Sequence, residues 1–516
     1  MKLRNLKNLN QRKAGALLSY VHIVVTSVIS ILYTPYMLRM LGQSEYGLYS
    51  TAGSFISYLS VLSFGIGGSY IRFNAIARAR KDWEEEKRLN GMYLMIFSVL
   101  SVLVLIGGLL IEVFAGELVK NTFTSEELLK LRIIMALLII NTMVTFICNV
   151  FMMALQAYEE FFFIRIVLLA AALINPVVNI IALRSGGKAV ALSAVSLAIS
   201  VLSYGCMFLY ARKAILFQVR FDGFKKEAIK EITLFSGFLF LNSITDQITW
   251  STDNVVLGAM KGTTAVAVYN VGAQFKSYFM QLSTSVSSVF APRINQIVAN
   301  QESSDALDEV FVRVGRIQFY IISLVLIGYC SIGERFIYMW AGPDYTDSFL
   351  IGLILMLAIA VPLFQNVGIE IQKAKNMHKT RSVVYFFVAL VNVILTIPFS
   401  RLWGGIGAAI ATLICMFAGT VVFMNYYYAK HVGLDIRRFW KSIASILPGI
   451  LPTIVIGFLV NKYIEINSLW VLLIVALLIV AAFFGFAWLL SMNQYEKALI
   501  KSIGHRFIRT NQKNRS

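Results

Sequence analysis

About fourteen stretches of this sequence are apolar for long enough to cross a hydrocarbon layer as helices, and a chain divided in that way can fold only in a membrane. They cover approximately residues 15–40, 47–71, 91–115, 132–154, 163–183, 189–211, 231–258, 264–291, 317–339, 348–373, 382–402, 405–429, 440–461 and 467–491. With 58% of the 516 residues hydrophobic and only 14% charged, water could not solvate most of the chain. The expected fold is all-α, a polytopic membrane protein. The basic stretch and long apolar run at the N-terminus carry no small-residue cleavage site, which points to a retained first span. Cys148, Cys206, Cys330 and Cys415 all fall inside apolar runs without metal or disulfide spacing, so they are expected to be small buried hydrophobes.

The formal charge of +19 would point to nucleic acid in a soluble protein. Here the cations cluster between apolar runs, as topology signals do, and no nucleic-acid partner is expected. An even number of spans gathers Arg12 and Lys13, Arg78 to Arg88, Arg212 to Lys230, Lys373 to Arg381, Arg437 to Lys441 and the tail on one side. The other side holds isolated cations such as Lys120, Arg184 and Lys261. Both termini are therefore expected in the cytoplasm, with the chain in a bacterial inner membrane and membrane lipids around it.

Sliding the chain against itself by 220 residues pairs Met40, Gly42, Tyr49, Phe55 and Tyr58 with Met260, Gly262, Tyr269, Phe275 and Tyr278. At a shift of 217, Asn175, Arg184 and Gly187 meet Asn392, Arg401 and Gly404. Two blocks in one order indicate duplication of a six-span unit. Six is even, so the halves run parallel, as two lobes around a central cavity. The expected divisions are an N-terminal lobe at 1–214, a C-terminal lobe at 215–432, and an appendage of two spans with a basic tail at 433–516. Pro448 and Pro452 are expected to kink the thirteenth span.

An ionised side chain at membrane depth costs roughly 2.5 to 3.5 kcal/mol, so each one needs a partner, water or a function. Asn242, Asp246, Thr249 and Asp253 share one face of the seventh span, and His22, Thr26 and Tyr33 occupy the equivalent face of the first. The two stripes are expected to face each other. Asp246 and Asp253 suit proton or sodium coupling, although Asp253 lies about a turn from the outer end, where reaching interfacial water is the alternative. Lys276 lies deep in the eighth span and its counterpart is Ile56, so its charge belongs to one half only. It either pairs with an aspartate or offers charge to an anionic substrate. Arg72 and Arg293 sit at equivalent inner ends, as membrane anchors or as guanidiniums that capture a diphosphate.

No phosphate loop, metal helix or nucleophile constellation occurs, so no enzymatic activity and no cofactor are expected. The connection around 116–131, with Glu117, Glu126 and Glu127, is short for a membrane glycosyltransferase or polymerase.

The stretch Leu41-Gly42-Gln43-Ser44-Glu45-Tyr46-Gly47-Leu48-Tyr49 resembles the turn between the first two spans of the multidrug/oligosaccharidyl-lipid/polysaccharide (MOP) exporter superfamily, in its polysaccharide flippase branch. Phe290-Ala291-Pro292-Arg293 and the glycine-alanine block from Gly404 to Thr412 carry the same resemblance, over roughly the first 430 residues. The resemblance implies an alternating-access secondary transporter for an undecaprenyl-diphosphate-linked oligosaccharide, serving surface polysaccharide biosynthesis beside a polymerase. By span position, the family's cavity cations fall on Lys276, Arg72 and Arg293, and His22 and Asn242 join them as substrate-binding candidates. The two added spans resemble those of lipid II flippases, which keeps a peptidoglycan precursor open as cargo. A cation-coupled drug exporter of the same fold is the other reading, which Asp246 and Asp253 would serve.

Overall fold

The structure, a computed structural model, describes residues 11–63, 66–222 and 226–502. The side chains before Gly15, those of Ala16, Leu17, Tyr20 and His378, those at residues 226–242, which include Asn242, and those beyond Ser502 lie outside this description. All regular structure among the described residues is helical. Helices α1 (Gln11–Ser60), α2 (Ile66–Ala79), α3 (Trp83–Val119), α4 (Ser125–Ala157), α5 (Phe161–Arg184) and α6 (Lys188–Ala214) come first. Then follow α7 (Lys226–Ala299), α8 (Ser304–Ala341), α9 (Ser348–Phe364), α10 (Asn366–Ala374) and α11 (His378–Met416). The chain ends in α12 (Met424–Tyr427), α13 (Ile436–Ala444), α14 (Leu447–Tyr463) and α15 (Leu469–Leu490). Among the described residues, nine helical stretches are long and apolar enough to cross a membrane, or ten when α13 and α14, bent by 46°, count as one.

Local chemistry explains where the helices begin. Asp82 accepts a hydrogen bond from Glu85 N at the start of α3, and Glu84, Glu85 and Glu86 in its first turn complement the helix dipole. Thr124 and Glu127 form a reciprocal capping box at the start of α4. The expected thirteenth span is bent by 46° between α13 and α14, just ahead of Pro448, which stands in the first turn of α14 where proline is tolerated, while Pro452 lies inside that helix.

Contacts group the chain into two compact units. The first holds residues 1–268 and 396–405, and so includes α7 through its glycine break to Val268, a segment that the sequence repeat counts with the second half. Its centre is α4, packed on α3 and α6, with Leu131, Ile134, Met135 and Val150 fully buried. Gly108 of α3 lets the Ile139 side chain approach where a Cβ would collide with it.

The second unit holds residues 269–395 and 406–516. Here α8 is central, touching α9, α13, α14 and α15. Phe311 of α8 stacks on Phe439 of α13 with ring centroids 4.4 Å apart, and Gly315 leaves room for the same phenylalanine ring. A buried ion pair closes this unit. Arg316 Nε and Nη2 donate to Glu496 Oε1 and Oε2 at 2.5 and 3.1 Å, and Nη1 and Nη2 also donate to the Ser442 and Ser491 carbonyls at 2.7 and 3.0 Å. One guanidinium thus ties α8 to α13 and to the chain beyond α15.

Large apolar side chains cover the outer faces of α3, α5 and α15, among them Leu110, Ile181, Trp470 and Leu477. In water such surfaces would aggregate, whereas in a bilayer they meet acyl chains. The same fact corrects the expectation for the cysteines. Only Cys415 is buried, while Cys206 and Cys330 are exposed, because an apolar run in a membrane protein turns much of its surface outward to lipid.

Candidate functional site

Two glycines define the site's frame. Gly42 breaks α1 with φ 72° and ψ 171°, and Gly262 breaks α7 with φ 82° and ψ −174°. They are the pair that the repeat aligns, and each has the same left-handed φ that a side chain would strain. A second block matches less closely. Gly404 has φ 57°, but in the first half the positive φ falls on Gly186 and not on its aligned partner Gly187.

Around the two breaks lies a polar knot within the first unit. Glu45, buried, receives Lys130 Nζ at 2.7 Å and the Ala189 backbone N–H at 3.2 Å, with Lys188 Nζ at 3.8 Å. Glu127 accepts from Ser44 at 2.6 Å and from Thr263 at 3.1 Å, one residue from each segment that follows a glycine break. Gly47 lies against the Thr263 carbonyl so closely that a Cβ would overlap it. The 41–49 motif therefore works as a joint: its glycines permit the turn and the close approach, and its Ser44 and Glu45 tie that turn down.

From the joint inward, α1 and α7 are zipped by small polar side chains. Asn254 Nδ2 donates to Ser54 Oγ at 2.8 Å, Ser57 Oγ to Ser251 Oγ at 3.2 Å, and Tyr58 and Thr252 share a 2.6 Å hydrogen bond. Gln247 completes the row by donating to both Ser57 and Ser251. Such interhelical bonds stabilise membrane helix pairs by about 0.6 kcal/mol each. The sequence expected α7 to meet the stripe of the first span. Through Gln247, Ser251, Thr252 and Asn254, α7 is bonded to Ser54, Ser57 and Tyr58 of the second span, and the Thr26 hydroxyl of the first span donates to the carbonyl of His22 in its own helix. Ser54, Ser57 and Tyr58 at one helical spacing, facing Gln247, Ser251 and Asn254 at another, were the available signal.

The charged candidates divide by burial. Asp253 is 2% exposed, so interfacial water does not reach it, and its carboxylate accepts from Thr396 Oγ1 at 3.3 Å. Asp246, two turns away, is exposed, and His22 is half-buried. Lys276, beyond Gly262 in the second unit, is 7% exposed, and its counterpart Ile56 is 6% exposed. One half of the repeat therefore carries a buried cation at a position where the other half carries a hydrocarbon. The inner-end arginines also differ: Arg72 is exposed, whereas Arg293 holds Glu302 with both terminal nitrogens, at 3.3 and 3.1 Å. Among the described residues no three His, Cys, Asp or Glu side chains converge to hold a metal ion.

The model of the polysaccharide biosynthesis protein family matches residues 13–298. The membrane protein EpsK of Bacillus subtilis strain 168 is 22% identical over 487 residues, spanning 92% of this chain and 94% of that one. The lipid II flippase MurJ in an inward closed conformation superposes with a TM-score of 0.73 at 16% identity, over 94% of this chain and 99% of that one. An inward-facing multidrug resistance MATE family transporter of the MOP superfamily gives 0.58 at 14% identity, over 80% of this chain and 99% of that one. At such identities the two solved structures establish a shared fold.

Proposed function

This chain belongs to the polysaccharide biosynthesis protein family, and we propose that it is a flippase that turns an undecaprenyl-diphosphate-linked oligosaccharide from the cytoplasmic to the outer leaflet. The observation that carries the reading is Lys276, a cation buried in an apolar helix of a fold shared with a lipid II flippase. A diphosphate is an anion that such a lysine suits. Arg72 and Arg293 gather the diphosphate at the inner mouth, and Arg293 exchanges Glu302 for it. His22 and Asn242 contact the sugars.

Divided at Gly42, Gly262 and Gly404, with α9 joined to α10 and α13 to α14, the chain makes about fourteen crossings. Both termini lie in the cytoplasm. Lobes at 1–214 and 215–432 rock around a midplane site by alternating access, and 433–516 adds a lipid-facing pair. Asp246 and Asp253 couple the cycle to protons or sodium, and a polysaccharide polymerase takes up the cargo outside.

In a strain lacking the chain, the glycolipid should accumulate on the cytoplasmic side, and Lys276→Gln should restore less export than Arg293→Gln. Normal export from the deleted strain sinks the proposal. The buried Asp253 favours one second reading, a cation-coupled drug exporter. Asp246→Asn or Asp253→Asn would then alter drug tolerance while leaving surface glycan intact.

A further inference from the structure

The chain does not leave the first unit directly after α6. Leu216, in the left-handed region with φ 50°, turns it back, and residues 217–222 lie along the start of α3. Arg220 N donates to Lys87 O and Asn90 Nδ2 to Gln218 O, both at 2.9 Å. Arg220 Nη1 reaches Glu84 at 2.6 Å and Nε reaches Asp222 at 2.7 Å. Hydrogen bonding to Glu84, with Asp222 beside it, raises the pKa of this guanidinium further. Gly91 makes the approach possible, since a Cβ there would overlap the Arg220 carbonyl.

Beneath this strap lies a cavity of about 410 Å³ lined by Leu94, Phe151, Phe208, Arg212, Phe217 and Gln218. Its floor is aromatic, with Phe151 packed edge-on against Phe208 and Phe217 at 4.8 and 5.3 Å. Arg212 stands at its edge, 5.7 Å from the Phe208 ring. Arg220 is neutralised by two carboxylates, but among the described residues no carboxylate pairs with Arg212 or Lys213. Leu216, Val219 and Phe221 are 72%, 39% and 58% exposed on the same short segment. Exposed hydrocarbon alternating with exposed cations is the pattern of a chain lying in a headgroup layer.

We propose that this cavity binds an anionic phospholipid, with the phosphate on Arg212 and the first carbons of an acyl chain against Phe151 and Phe208. A phosphodiester presents two oxygens to a guanidinium, which matches the arginine at the edge. A free phosphate offers the same anion but would leave the aromatic floor empty and Leu216 and Phe221 in water. The inference goes beyond the flippase reading and shares with it only the placing of this end of α6 at the cytoplasmic leaflet.

Short-chain phosphatidylglycerol, phosphatidylcholine and soluble glycerol 3-phosphate, each titrated against the full chain in a neutral detergent, test it. Phosphatidylglycerol should bind more tightly than phosphatidylcholine by about five-fold or more, the effect of roughly one cation at a lipid phosphate. Arg212→Gln should abolish that preference, and Arg212→Lys should keep most of it. Phe208→Ala should weaken both lipids alike. Arg212 is exposed, so its variants are expected to melt with the parent protein. A phosphatidylglycerol preference that survives Arg212→Gln overturns the site, and glycerol 3-phosphate binding as tightly as the lipid overturns its lipid character. Both readouts are independent of export, so failure of the flippase reading would not be mistaken for failure of this one.

Discussion

Two arginine–glutamate pairs fasten connections in the two units, and they sit at opposite ends of the range of exposure. Arg220 and Glu84, which hold the strap on α3, are 48% and 51% exposed, whereas Arg316 and Glu496 are 6% and 5% exposed. Water competes for the first pair, so it positions a segment that main-chain hydrogen bonds already hold. The second pair has lost its hydration, and the Ser442 and Ser491 carbonyls and the Ser445 hydroxyl make up the remainder. Identical functional groups therefore form an adjustable contact in one unit and a lock in the other.

The largest test of that contrast is Glu496→Gln. It strands a buried guanidinium and should cost about 3 to 5 kcal/mol, read as a fall in the melting temperature in detergent. Replacing both partners, as in Arg316→Met with Glu496→Leu, should recover most of the loss; a double variant as unstable as the single one would show that packing, not charge, closes the unit. Next is Gly91→Ala, which pushes a methyl group into the Arg220 carbonyl and should cost about 1 to 3 kcal/mol while releasing residues 217–222 to faster amide exchange. Ser57→Ala removes hydroxyl contacts from the zipper between α1 and α7 and should cost about 0.6 kcal/mol. Smallest is Glu84→Gln, for which no resolvable change in melting is expected. A clear drop there would mean that the exposed pair bears as much of the fold's stability as the buried one.

The membrane class and the helical fold were legible because a run of some twenty apolar residues has few other uses. Gly42 and Gly262 were legible as a repeated pair, since glycine at shared spacing survives where leucine identities mean little. Their geometry was not, because hydropathy marks an interruption without showing that the turn is a single residue. Depth was the hardest property to read. Asp253 lies close enough to a span end in the sequence to suggest contact with water, yet it is buried, while Asp246 on the same helical face is exposed. The zipper escaped notice for a related reason. Serine, glutamine and asparagine carry no charge to mark them at membrane depth, and their partners lie 190 to 200 residues away. Glu45 was legible only as part of a family-like motif, and its ties to Lys130 and to the start of α6 show what that motif holds together.

The Arg316–Glu496 pair also bears on the order of assembly. Its partners are 180 residues apart, and Glu496 is the later of the two. At ribosomal rates of about 5 to 20 residues per second, the arginine exists for roughly ten to forty seconds before its counter-ion has been synthesised. Helix α8 waits through that interval with a solvated or lipid-phosphate-bound guanidinium, so the second unit can close only after Glu496 has been synthesised. A nascent chain truncated ahead of Glu496 would be left open at that joint, a ready substrate for membrane quality-control proteases.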